Sequence, residues 1–454
     1  MELNVKNLLG LFMVLCLSCT AVLAQGTMEQ PDSWNGKLAV GQSELTIVFN
    51  FFKDENGVRK CTMDSPDQGA KGIPGNVIVL SADSMKVNVP SIGASYSGKI
   101  SGRKVFGTFV QNGYSFPLAL DYGPFVANRP QTPKGPFSYY TEEVVFTAHD
   151  GAKLAGTLSV PLYASAKTPV VLMVTGSGLQ DRDETMFDHK PFHVIADFLA
   201  RSGIASLRYD DRGAGESERG NVSITMQSNS ADAAAGLEYL ASLHRFGRIG
   251  LLGHSEGGRI AMMLAAEGRP DFIVSLAGPG VDGKRILLEQ SRAGLEGMGM
   301  PEIAVTDYCR VMELLMDMKI KGETAVDADK LISDAGAANF PPSLKQNIQA
   351  LDSVLDDSWM RSFLNDDPAG DLQRIVCPVM AIFGEKDIQV PAGMNMEALK
   401  AYLPESSANL LKTYPELNHL FQHCRTGLPQ EYNSIEETIS PEVLADIVNW
   451  ISGK

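Results

Sequence analysis

The chain has 454 residues, 44% of them hydrophobic and 20% charged, a balance that excludes a disordered chain and provides for two or three domains with sizeable cores. Its formal net charge of −15 argues against a nucleic-acid-binding surface, which would carry basic patches. Glycine (43) and proline (24) supply many turns but are too few for a low-complexity chain.

The first 24 residues have the organisation of an export signal. Lys6 supplies a positive charge, Leu8 to Leu17 is apolar, and Val22-Leu23-Ala24 offers small residues before a cut at Gln25. Cleavage there is preferred to lipid attachment at Cys19, because Cys16 rather than a leucine stands three residues before it. No later run is long and apolar enough to span a bilayer, so a secreted or periplasmic protein is expected. Cys61, Cys309, Cys377 and Cys424 remain, with no CxxC and no paired histidine spacing. They are read as small buried hydrophobes, and neither a metal nor a cofactor is expected.

Residues 26–125 are expected to form a small all-β domain, a sandwich or a barrel. Leu45–Phe52, Asn76–Leu80, Ser84–Val89, Ser95–Ile100, Val105–Phe109 and Tyr114–Leu118 are short and rich in β-branched or aromatic residues, with turn clusters such as Asn112-Gly113 between them. A Pro-rich linker follows at 126–137. From 138 to 454 the pattern alternates strands with helices, which predicts a mostly parallel, doubly wound α/β sheet. Pro169–Val174, Ile204–Arg208, Ile249–Gly253, Phe272–Leu276 and Val379–Phe383 read as its buried strands. The rhythm breaks at about 283–368, where Leu344, Ile348, Leu351 and Leu355 recur at helical spacing. That stretch is expected to be a helical cap. Its Met298, Met300, Met312, Met316 and Met318 suit either a variable apolar pocket or packing between cap helices.

Gly253-His254-Ser255-Glu256-Gly257-Gly258 fits G-x-S-x-G, between a buried strand and a helix. Glycines there let a strained turn close, which would expose Ser255 as a nucleophile and leave the Glu256 N–H free for an oxyanion. A serine at its free pKa needs a base held by a third group. His419, in the loop after the strand ending at Tyr414, is favoured over His423, and His254 is expected to pack under the turn. Asp387, leaving the strand ending at Phe383, is favoured over Glu385 as the orienting acid. Both sit where open α/β sheets place their sites. The second oxyanion N–H is expected from Val174-Thr175-Gly176-Ser177-Gly178, with Ser177 the first choice and Gly178 the second. The GxG in Arg208–Ser217 lacks a phosphate-binding fingerprint and reads as a structural turn.

Taken in order, GSGLQDRD at 176–183, RYDDRGAGES at 208–217, GHSEGG at 253–258, GEKD at 384–387 and NHLF at 418–421 resemble the EstD-type serine esterases of the α/β-hydrolase superfamily. The resemblance covers about residues 138 to 454. It implies hydrolysis of a small-molecule carboxylic ester, with a cap between the sixth and seventh strands. Thr175 departs from it, since many relatives carry His before the glycine; a backbone oxyanion donor would tolerate the change. GHSEGG is also similar to the prolyl-oligopeptidase clan, which makes an exported serine peptidase the second reading, although the β region is too short for a propeller. A third reading, a non-catalytic ligand-binding protein on a hydrolase scaffold, is opposed by the chain order Ser255, Asp387, His419.

Overall fold

The computed structural model describes residues 32–40, 43–68, 70–323 and 326–453. The export signal and the alternative anchor at Cys19 lie outside them. Two compact units are present: residues through Pro130 with Pro429–Glu436, and Gln131–Leu428 with Glu437–Lys454.

The first unit is a closed antiparallel barrel of eight strands. They are β1 (Asp32–Val40), β2 (Ser43–Lys53), β3 (Arg59–Ser65), β4 (Ala70–Leu80), β5 (Ser84–Val89), β6 (Ala94–Ser101), β7 (Lys104–Gln111) and β8 (Tyr114–Tyr122), and β8 pairs back onto β1. Alternation drives the closure: in β5, Met85, Val87 and Val89 point inward while Lys86 and Asn88 face out. Asn112 and Gly113, both at positive φ, make the two-residue turn between β7 and β8 that suits a right-twisted hairpin. Phe49, Tyr96, Phe109 and Leu118 fill the interior, so the barrel is a packed core and not a ligand cup. Two strands escape the sequence pattern. β1 and β3 are mostly polar, and they become strands because their barrel neighbours satisfy their backbone groups, β1 between β2 and β8 and β3 between β2 and β4.

The same unit takes in eight residues from far along the chain, 429–436. The Arg129 guanidinium, in the Pro-rich stretch, donates to the carbonyls of Asn433 (2.8 Å) and Ile435 (3.0 Å). Gln131 belongs to the other unit, where its side chain bonds the backbone of Thr438 and Ile439. The Pro-rich stretch is therefore held near its start, at Arg129 and Gln131.

The second unit is an α/β-hydrolase fold. Its eight strands are β9 (Tyr139–Thr147), β10 (Lys153–Pro161), β11 (Val170–Val174), β12 (Ala205–Tyr209), β13 (Ile249–His254), β14 (Phe272–Leu276), β15 (Val379–Gly384) and β16 (Leu410–Tyr414). Their order is β16-β15-β14-β13-β11-β12-β10-β9, parallel from β12 through β16 with β10 and β9 antiparallel at one edge. The helices α1 (Pro191–Arg201), α2 (Met226–Ser242) and α3 (Glu256–Ala266) connect the central strands. Six more interrupt the sheet between β14 and β15: α4 (Gly283–Gly297), α5 (Glu302–Ile320), α6 (Ala328–Asp334), α7 (Lys345–Val354), α8 (Ser358–Leu364) and α9 (Pro368–Leu372). α10 (Ala392–Tyr402) and α11 (Pro441–Ser452) complete the unit. After β11 the chain moves to one side of that strand, then crosses back to place β13 on the other. That reversal opens a crevice at the carboxyl ends of β11 and β13, where such sheets place their chemistry.

Among the cap methionines, Met312 and Met316 are 2% and 0% exposed and belong to the hydrophobic core, with Met298, Met300 and Met318 packed partly buried against it. Cys61 and Cys309 are buried, and Cys377 and Cys424 are half-buried. No described helix is long and apolar enough to cross a membrane.

Candidate active site

β13 is buried along nearly its whole length and ends at His254. Ser255 then adopts φ +53°, ψ −118°, a conformation a non-glycine residue takes only when its surroundings impose it. Its N–H is held by the Leu276 carbonyl of β14 at 2.8 Å, and α3 begins at the next residue. The flanking glycines are required by contact. A Cβ on Gly253 would stand 2.0 Å from the Gly257 carbonyl oxygen, and one on Gly257 would stand 2.0 Å from the Val174 carbonyl oxygen. Ser255 is partly exposed while both its neighbours are buried. Its Oγ makes no hydrogen bond among the described residues; in an enzyme without substrate such bonds commonly tighten only in the complex.

Asp387 lies in the loop after β15 with its carboxylate buried. Oδ1 accepts from the N–H groups of Gln389 (2.8 Å) and Val390 (2.9 Å), and Oδ2 accepts from His419 Nδ1 at 2.7 Å. A carboxylate anchored this way orients the imidazole and keeps its proton on Nδ1, which leaves Nε2 with the lone pair. The loop carrying His419 is shaped by Asn418, whose Oδ1 accepts from the N–H groups of Leu420 and Gln422, both at 3.0 Å.

The competing residues go elsewhere. The His423 side chain is 62% exposed and pairs with Glu437 at 2.8 Å. Glu385 is exposed. His149 pairs with Glu238 on the surface, and buried His189 bonds Thr438 and Gln422.

His254 packs under the turn, and it does more there than fill space. Its Nδ1 meets Glu184 Oε1 at 2.8 Å and its Nε2 meets the His419 carbonyl oxygen at 3.0 Å. The loop after β11 comes close to the nucleophile: a Cβ on Gly176 would be 3.3 Å from Ser255 Cβ. The Gly176 N–H is taken by Glu184 at 2.7 Å. Those of Ser177 and Gly178 make no hydrogen bond among the described residues, and Gly178 has φ +103°. Thr175 donates to the half-buried Asp211 carboxylate at 2.9 Å. Asp211 also accepts from Gln180 N at 2.9 Å, and burial pushes its pKa well up. In the RYDDRGAGES turn, Asp210 is held by Arg182 and accepts from the Glu216 N–H, a structural knot with no room for phosphate.

Glu256, whose N–H opens α3, turns its side chain inward. Its Oε1 accepts from Asn229 Nδ2 at 3.1 Å, while Oε2 has no partner among the described residues. Burial pushes this carboxyl up to about 7, tempered by Trp359 and Asn229 and reinforced by Asp366. Four residues on, Arg259 is buried and pairs with Asp366 and Asp371 at the end of the cap.

Sequence reasoning missed Glu184, Asp211 and the partners of His254. The letters were present in GSGLQDRDE and RYDDRG, but only the meeting of three loops reveals what each acid holds. No group of three or more His, Cys, Asp or Glu side chains among the described residues is placed to bind a metal.

The serine aminopeptidase S33 family pattern matches residues 189–423, just over half of the chain and the span that holds Ser255, Asp387 and His419. The chain belongs to that family. It is 25% identical over 299 residues to esterase EstD of Thermotoga maritima, an alignment covering 66% of this chain and 65% of that relative, less than two thirds of its length. Similar solved structures include the Pyrococcus furiosus esterase Pf2001, with 18% identity and a TM-score of 0.41 over 73% of this chain and 98% of that one. Est1E from Butyrivibrio proteoclasticus has 16% identity and a TM-score of 0.41 over 68% and 98%. Proline iminopeptidase of Mycobacterium smegmatis has 14% identity and a TM-score of 0.42 over 69% and 100%.

Proposed function

We propose that the chain is an exported serine hydrolase that cleaves carboxylic esters through an acyl-enzyme. The observation that carries the reading is the buried Asp387–His419 bond at 2.7 Å, set on the sheet edge where Ser255 opens α3 at φ +53°. Similarity to esterase EstD supports ester chemistry.

In this reading Ser255 Oγ attacks the acyl carbon while His419 Nε2 takes its proton. The Glu256 N–H, with that of Ser177 or Gly178, stabilises the oxyanion, and charge that develops at a helix N-terminus is further favoured. His419 returns the proton to the leaving alcohol. Water, deprotonated by the same imidazole, then releases the acid. Asp387 orients the ring and balances its transient positive charge.

The family match favours a second reading, cleavage of a peptide from its amino end by the same residues. A fluorophosphonate probe and a panel of nitrophenyl esters beside aminoacyl-anilides test both. Labelling lost in Ser255→Ala, with esters turned over and anilides not, is the expected outcome. Faster turnover of anilides would make the chain a peptidase, and a Ser255→Ala variant that keeps a tenth of the activity would remove this serine from the mechanism. Recovery of the protein outside the cytoplasm with Gln25 at its N-terminus tests export.

A further inference from the structure

We infer that the buried Glu184–His254 pair is a positioning clasp that holds the general base and the oxyanion loop in register around Ser255, an inference that rests on the triad reading above. Glu184 is 1% exposed and sits at φ +53°, an arrangement the surroundings must impose. Its single atom Oε1 accepts from Gly176 N at 2.7 Å and faces His254 Nδ1 at 2.8 Å. His254 Nε2 in turn faces the backbone carbonyl of His419 at 3.0 Å, and the two imidazole rings lie 4.7 Å apart. One chain of hydrogen bonds thus runs from the loop after β11, beneath the nucleophile, to the loop that carries the base.

Proton placement follows from these partners. A carbonyl oxygen only accepts, so His254 Nε2 must carry a hydrogen. Nδ1 faces a carboxylate that already accepts from Gly176, so it donates as well. His254 is then an imidazolium paired with a Glu184 carboxylate. The charged and titratable groups around it are Glu184 after β11, Asp387 after β15 and His419 after β16, with Asp211 after β12 beyond Glu184. Burial works against the cation, but Glu184, the His419 carbonyl and Asp387 outweigh it and hold its pKa above the ordinary histidine value. Both loops are thereby fixed by charge-assisted bonds in a buried site, where such bonds are strongest.

Glu184→Gln tests the clasp. The amide cannot serve both neighbours as the carboxylate does: its oxygen still accepts from Gly176, but His254 loses its counter-charge and, once neutral, has one N–H for two acceptors. We expect kcat to fall about 10- to 100-fold at about pH 7.5 with KM little changed, the scale of a small misplacement of reacting groups. The ratio of variant to wild-type kcat should then rise as the pH is lowered to about 6, because His254 regains its second proton. A loss of packing alone would give a ratio that is flat with pH, and that result overturns the clasp. A second measurement does not depend on the variant folding. In wild-type protein labelled with 15N-histidine, one imidazole should keep both ring N–H protons at about pH 7, past the ordinary histidine value of about 6.5, and their absence overturns the proposal. Fluorophosphonate labelling separates the two levels: no labelling of Ser255 removes the triad reading and the clasp with it, whereas labelling with a flat kcat ratio removes the clasp alone.

Discussion

Glu256 gives the α/β unit a pH-dependent cost that one substitution should remove. Its carboxyl is buried, one oxygen lacks a partner among the described residues, and its pKa rises from an ordinary 4.5 to about 7. In the unfolded chain the group loses its proton near 4.5, so between there and 7 the native state holds the extra proton and stability falls as the pH rises. The stabilisation is present in full below 4.5 and gone above 7, a difference of roughly 3 kcal/mol at about 1.4 kcal/mol per pH unit. Glu256→Gln keeps the acceptor for Asn229 and cannot ionise. Any constant cost of burying the amide cancels when its effect is compared at two pH values. Urea unfolding of both proteins at about pH 5 and about pH 8, followed by tryptophan fluorescence, should show the variant gaining roughly 3 kcal/mol on wild type between the two. Trp359, beside Glu256, reports on the region concerned. Parallel responses of the two proteins to pH would refute the reasoning and mean that Glu256 is solvated or already paired.

His419→Ala should remove nearly all turnover of a nitrophenyl ester while His423→Ala changes it less than about threefold, since His423 is exposed and paired only with Glu437; the opposite outcome would move the base. Arg259→Met should lower the unfolding free energy by about 3 to 5 kcal/mol, because it leaves the nearly buried Asp366 carboxylate without its cation, while Asp371 keeps Arg374. A loss below about 1 kcal/mol in urea unfolding would show that solvent reaches Asp366. Met312→Ala combined with Met316→Ala should cost about 2 to 5 kcal/mol per site and shift activity equally on short and long acyl esters, as both side chains are core. A changed chain-length preference would place them in the acyl pocket instead.

The parts of this protein that were legible in the sequence are those with a local cause. A strand buried on both faces must be nearly continuously apolar; Val170–Val174 and Val379–Gly384 are, and Phe272–Leu276 departs only at Ser275. A turn that brings backbone within contact of Gly253 and Gly257 must be written in glycine. The cap announced itself by its helical period, and the order of Ser255, Asp387 and His419 followed from which loops leave the carboxyl end of a parallel sheet. What depends on distant partners was not legible. β1 and β3 are mostly polar, and only their neighbouring strands in the barrel give their backbones a ladder. Residues 429–436 group with a unit whose other residues end at Pro130, through the carbonyls that Arg129 holds. The cap methionines could have lined a pocket or a core, since a flexible apolar side chain suits either; the packing of α5 against its neighbours decided it for Met312 and Met316. The same holds for the buried charges. A sequence shows that Glu184, His254 and Arg259 exist, but the energy of a buried charge is set by which opposite charge stands within about 3 Å of it, and that is decided only when loops far apart in the chain meet at one edge of the sheet.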